Sequence, residues 1–172
     1  MNAYILIVLR LLHIFCSALW VSVAFLFRFF VNPALNAIGP DSQKFGQALN
    51  DRNRFSIFMG AITLLTLISG FILYYKASGG LNFAWIMTGP GIGFSIGAVA
   101  GIIAFFIGGF AMEKITIKLR AAMEEESKTE KNQNQGTESK VANLQKSLNK
   151  IETLDFIFLS MAMAAMATAR YW

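Results

Sequence analysis

Residues 5–30 read ILIVLRLLHIFCSALWVSVAFLFRFF. Two arginines and one histidine are the only ionisable interruptions besides a cysteine. At 1.5 Å per residue the run exceeds the roughly 30 Å of hydrocarbon in a bilayer. It is too long for the core of a signal peptide, has no small-x-small cleavage pattern, and places Phe15 rather than a small residue before Cys16. It therefore reads as an uncleaved first span. Three further apolar runs follow at about 55–75, 91–112 and 154–172. The whole chain has 172 residues, 55% hydrophobic and 15% charged, which is too apolar for a soluble domain of this length. The expected fold class is all-α: a polytopic four-helix transmembrane bundle forming one membrane domain over 1–172.

Charge then orients the bundle. Four spans put both termini and the 76–90 loop on one face. The 32–54 loop carries Lys44, Arg52 and Arg54, and the 113–153 loop carries Lys114, Lys118, Arg120, Lys128, Lys131, Lys140, Lys146 and Lys150. The other face has only Lys76 and Arg170 besides the amino terminus, and no acid. By the excess of basic residues on the cytoplasmic side, both termini are expected outside a bacterial inner membrane. Tyr4, Tyr74, Tyr75, Trp85, Tyr171 and Trp172 fall at the level of the outer headgroups, where amphipathic rings are favoured. The net charge of +5 is thereby placed in cytoplasmic loops, and nucleic acid is not needed to explain it.

The 113–153 loop has three parts. Ile115, Leu119 and Ala122 continue the third helix, and Val141, Leu144, Leu148 and Ile151 recur at helical spacing before the fourth span. The sequence leaves open whether these extensions pair as a helical hairpin or form a solvated tether. Between them, 124–140 (EEESKTEKNQNQGTESK) is polar, of low complexity and expected to be mobile. In the third span Gly93, Gly97 and Gly101 lie at intervals of four, followed by Gly108 and Gly109; such a stripe lets helix backbones approach within a bundle or across a homodimer. Pro90 suits the first turn of that helix. Asn32-Pro33 is expected to end the first span, with Arg28, Arg52 and Arg54 anchoring at the interface.

One cysteine and one histidine exclude an internal disulfide framework, multi-histidine metal sites and bis-histidine haem ligation within one chain. His13 lies on one helical face with Arg10 and Cys16, about 8 Å inside the outer hydrocarbon edge if the core begins near Val8. An ionisable group at that depth is a functional lead. Neutral imidazole is a good axial ligand of haem iron, and haem propionates need cations near a membrane surface. Arg10, Lys76 and Arg170 supply such cations. The structural alternative is that His13 hydrogen-bonds a backbone carbonyl or hydroxyl and the cations reach for headgroups. Copper is less suited: His13, Cys16, Met161, Met163 and Met166 are the right atom types, but no clustered sulfur motif appears. Gly93-Phe94-Ser95-Ile96-Gly97 matches a nucleophile elbow in letters, but lies within an apolar helix rather than a strand-turn-helix.

The stretch Arg10-Leu-Leu-His13-Ile-Phe-Cys-Ser-Ala-Leu-Trp20 resembles the first helix of the CopD-like superfamily of small bacterial membrane proteins, which includes the copper-resistance protein CopD and HemJ-type proteins. The likeness continues through Leu65-Thr66-Leu67-Ile68-Ser69-Gly70, the glycine-rich third span and the closing Ala167-Thr168-Ala169-Arg170-Tyr171-Trp172. The resemblance implies that His13, at the position of the haem-associated histidine in HemJ-type members, serves a haem. The HemJ-type functional lysine does not map securely onto Lys76. The expected function is binding of a b-type haem through His13, with Arg10, Arg170 and Lys76 near its anionic groups, for electron transfer or within a larger membrane redox complex or homodimer. A stand-alone enzyme is not expected. The alternatives are a non-catalytic accessory subunit and a copper transport or resistance protein.

Overall fold

The computed structural model describes residues 2–38, 42–49, 54–128 and 135–172. Their regular structure is entirely helical: α1 (Ala3–Leu26), a π segment (Phe27–Val31), α2 (Asn32–Ile38), α3 (Ser42–Gln47), α4 (Phe55–Ala77), α5 (Phe83–Ile86), α6 (Gly89–Phe106), a second π segment (Ile107–Met112), α7 (Glu113–Lys128) and α8 (Gln135–Thr168), closed by a 3₁₀ turn at Ala169–Tyr171. Four helical stretches are long and apolar enough to cross a membrane: Ala3–Ile38, Phe55–Ala77, Gly89–Glu125 and Ser139–Tyr171.

These stretches pack as two antiparallel pairs, α1 with α4 and α6–α7 with α8, joined by lesser contacts of α1 with α8 and α4 with α6. Phe27 stacks on Phe55 with ring centroids 5.4 Å apart, and Phe25 and Phe29 meet Phe156 at 6.0 and 5.2 Å. The start of α1, the end of α4, the start of α6 and the end of α8 therefore share one end of the bundle, the termini end. The opposite end carries the α7–α8 hairpin. Where the pairs meet, Cys16, Trp20, Ile62, Ala104 and Leu159 form the core. Large apolar side chains such as Phe15, Ile57, Phe71 and Ile102 point outward, the inverse of a soluble domain.

Two helix ends fall elsewhere than sequence reading puts them. Asn32-Pro33 does not stop the first helix. A proline removes one N–H and crowds the carbonyl four residues before it, here Phe29. The wider π turn spans that carbonyl, and the helix runs on to Ile38. The 124–140 stretch is helical at both ends, 124–128 and 135–140. Its Glu, Lys and Gln residues are good helix formers, and propagation from an existing helix costs far less than nucleation. The two extensions do pair: Leu119 and Ala122 are buried, Val141, Leu144 and Leu148 are half-buried, and Lys140 meets Glu125 at 3.4 Å.

Glycine sets the distance between α6 and α8. Gly89 lies against the Trp172 backbone, a Cβ on Gly93 would come 2.9 Å from Ala169 Cα, and one on Gly97 would come 2.6 Å from Met166 Cγ. The stripe thus serves packing within the bundle. Gly101, expected to belong to it, meets nothing within 4 Å. Thr88 caps α6 by accepting the Gly91 N–H at 3.2 Å, with proline in the first turn as expected.

The link after α4 passes through three left-handed residues, Gly79, Gly80 and Leu81 at φ 62°, 86° and 65°. Buried Ser78 holds it by accepting the Leu81 N–H at 2.9 Å. Only Leu81 carries a Cβ there, a penalty of about 1–2 kcal/mol that glycine avoids at a chain-entropy cost of about 0.5–1 kcal/mol. Leu81→Gly is expected to stabilise the protein by about 0.5–1 kcal/mol in equilibrium unfolding; a loss of stability would show that the Leu81 side chain contributes more than its backbone costs.

Candidate functional site

α1 directs His13 at α4 rather than at the other pair. On α4, Thr66, Ser69 and Gly70 share one face at spacings of three and four. Thr66 and Ser69 are buried, and their hydroxyls turn back onto their own helix: Thr66 Oγ1 donates to the Ile62 carbonyl at 2.9 Å, and Ser69 Oγ donates to the Leu65 carbonyl at 2.6 Å. What remains for the imidazole is the Thr66 carbonyl oxygen, 2.9 Å from His13 Nδ1, with Ser69 Oγ at 3.3 Å. A carbonyl can only accept, so Nδ1 carries the proton and donates it. In the neutral ring this leaves the lone pair on Nε2, which makes no hydrogen bond to the described residues.

Gly70 makes this approach possible. A Cβ there would lie 2.8 Å from His13 Cε1, closer than real Cβ contacts, and a tight 3.2 Å from Nδ1. The ring is seated in a notch cut for it. Sequence reading singled out His13 but not its three partners. The signal was available in two hydroxyls and a glycine on one face of an apolar span, but nothing in the sequence gives the register of α1 against α4.

The other expected site residues stand apart. Arg10, Lys76 and Arg170 are all exposed, and none makes a hydrogen bond or ion pair with a described residue. Cys16 is a free, buried thiol in the core beside Trp20. Met166 packs on Gly97, while Met161 and Met163 are exposed. No group of three or more His, Cys, Asp or Glu side chains is placed to hold a metal ion among the described residues. Ser95 is engaged by Tyr74 Oη at 2.6 Å and donates to the Gly91 carbonyl at 2.7 Å, with the Trp85 ring edge-on to Tyr74. These bonds hold α4 to α6 and leave Ser95 no role as a nucleophile paired with His13. A hollow lined by Ser95, Ile96, Val99, Ala100, Ile103 and Met161 and another in the α7–α8 hairpin both lie away from His13. Arg52 falls outside the described residues.

A second polar group sits at the hairpin end and was not foreseen as a site. Asn32 Nδ2 donates to Glu152 Oε2 at 2.7 Å, and Arg28 is near enough for its charge to act on Glu152. One turn further along α8, Asp155 is buried at 5% exposure, and its Oδ1 has no hydrogen-bond partner. No family model, curated protein or solved structure matches the chain.

Proposed function

We propose that this is a four-span protein of a bacterial inner membrane, with both termini outside, in which His13 is an axial ligand for a b-type haem. One observation carries the reading: Nδ1 is tied to the Thr66 carbonyl while Nε2 is unengaged. That is how metal-binding imidazoles are commonly held, since the second-shell bond on one nitrogen fixes the tautomer and aims the other. Haem would supply one-electron transfer. The chain's own work is to keep the imidazole neutral in tautomer and fixed in direction, through Thr66, Ser69 and the Gly70 notch.

The donor fits and the enclosure does not come from this chain alone. The hollows beside Ser95 and in the α7–α8 hairpin do not border His13, and the reading places the haem at the edge of the α1–α4 pair, covered by a second copy or by another subunit. Arg10, Lys76 and Arg170, without acidic partners, are the cations suited to propionates at the termini end. The resemblance of the first helix to the CopD-like superfamily points to the same histidine. Copper suits the site less, because the methionine sulfurs are exposed or committed to packing.

A second reading, an accessory subunit without a cofactor, draws on the α7–α8 hairpin, whose buried Leu119 and Ala122 leave a charged outer face able to dock a partner. Absorption separates the two. Protein purified from membranes, or reconstituted with haem, is expected to show a Soret band that His13→Ala abolishes. Absence of the band in the wild type, or equal bands in both, removes the haem reading.

A further inference from the structure

At the hairpin end, Asp155 Oδ1 is the one buried side-chain polar atom among the described residues that lacks a hydrogen-bond partner. A carboxylate oxygen in that condition has lost its water without gaining a donor, which is costly. Its neighbours offer little relief. A Cβ on Gly108 would lie 3.6 Å from Oδ1, so the second π segment passes directly beside the carboxyl. From Gly89 to Met112 that helix has no titratable side chain at all, and the next are Glu113 and Lys114 on α7. On the first helix the charged neighbour is Arg28, which acts on Glu152; α2 contributes Asn32, also committed to Glu152. On α8 itself the nearby charge is Glu152, of the same sign. Both π segments lie at this level, and π turns within α-helices concentrate at functional sites.

We propose that Asp155, with Glu152 one turn before it, forms a proton-binding site entered from the hairpin end. Half-buried Glu152, held by Asn32, bridges solvent to the enclosed carboxyl. A hydronium ion from solvent gives up a proton, its O–H bond breaking to leave water as the Asp155 O–H bond forms and the carboxylate is discharged; release reverses this by the same path. Access is one-sided, because the apolar core of Cys16, Trp20, Ile62, Ala104 and Leu159 separates this site from His13. The site therefore stands independently of any haem.

Infrared spectroscopy of the whole chain, free of haem, in micelles of a detergent without carbonyl groups tests it. Exposed carboxylates are ionised at neutral pH, so a protonated-carboxyl C=O stretching band there isolates an enclosed acid. The wild type is expected to show that band at neutral pH, to lose it in Asp155→Asn and to keep it in Glu152→Gln. No band in the wild type, a band that survives Asp155→Asn, or a band that appears only when sodium and potassium are removed would each overturn the proposal, the last by assigning the site to a metal cation. If Asp155→Asn fails to fold, wild-type protein labelled with carbon-13 at its aspartate carboxyls is expected to show the band shifted to lower frequency, and an unshifted band would overturn the proposal.

Discussion

Gly93→Leu is expected to separate α6 from α8 and to destabilise the protein by about 3 kcal/mol or more, the upper range for overpacking. The steric argument is direct. Even a Cβ at Gly93 would meet Ala169 Cα and Cβ at 2.9 Å, and the Trp172 ring lies 3.4 Å away. The obstacle is partly backbone, which no rotamer change can move. Because Gly89 and Gly97 hold the same contact above and below, the helices cannot tilt to accommodate the side chain without losing those neighbours too. Gly101→Ala provides the control. With nothing within 4 Å of its Cβ, it should be neutral or gain about 1 kcal/mol from helix propensity. Equilibrium unfolding in detergent, followed by circular dichroism, measures both; equal destabilisation by the two variants would contradict the assigned α6–α8 register.

Gly70→Val is expected to expel the imidazole from its notch. A Cβ 2.8 Å from His13 Cε1 requires the ring to leave, and with it goes the Nδ1–H bond to Thr66. The combined cost is about 2–4 kcal/mol, overpacking plus one lost hydrogen bond. A structural effect alone would end there. The proposed function adds a second consequence: an imidazole no longer aimed by Thr66 should bind haem poorly although His13 is still present. Nitrogen NMR of the labelled histidine reads the first effect, since the wild type should show protonated Nδ1 and bare Nε2 and the variant a mixture of tautomers. An unchanged histidine spectrum in Gly70→Val would show that the notch does not hold the ring.

The four long helices were legible because their signals are local, whereas which helix pairs with which was not. Apolar runs located the four long helices to within a few residues at most ends, and the spacing of Leu119, Ala122, Val141, Leu144 and Leu148 marked two helical extensions without showing that they pair. Where local rules compete, they misled. Pro33 carries a strong stop signal, but a π turn absorbs it, and only the packing of the first helix against α8 shows why continuing is worthwhile. Gly101 fits the periodicity of Gly93 and Gly97 yet meets nothing within 4 Å, because the buried stripe of α6 runs on through Ala100 and Ala104 instead. The site was half legible. A lone histidine in an apolar span is conspicuous; that its partner is a backbone carbonyl at Thr66 depends on how far α4 slides along α1. Asp155 was hidden for a related reason: it stands one turn from the polar loop, and nothing in the letters separates a solvated acid from one roofed by Gly108.

In the proposed function His13 presents Nε2 to haem iron. Titration of haem into the purified protein, read at the Soret band in wild type and His13→Ala, tests this in one experiment. A saturable, stoichiometric transition is expected in the wild type and only weak, non-saturating association in the variant. Identical titration curves for the two proteins, or no Soret transition in either, would contradict it.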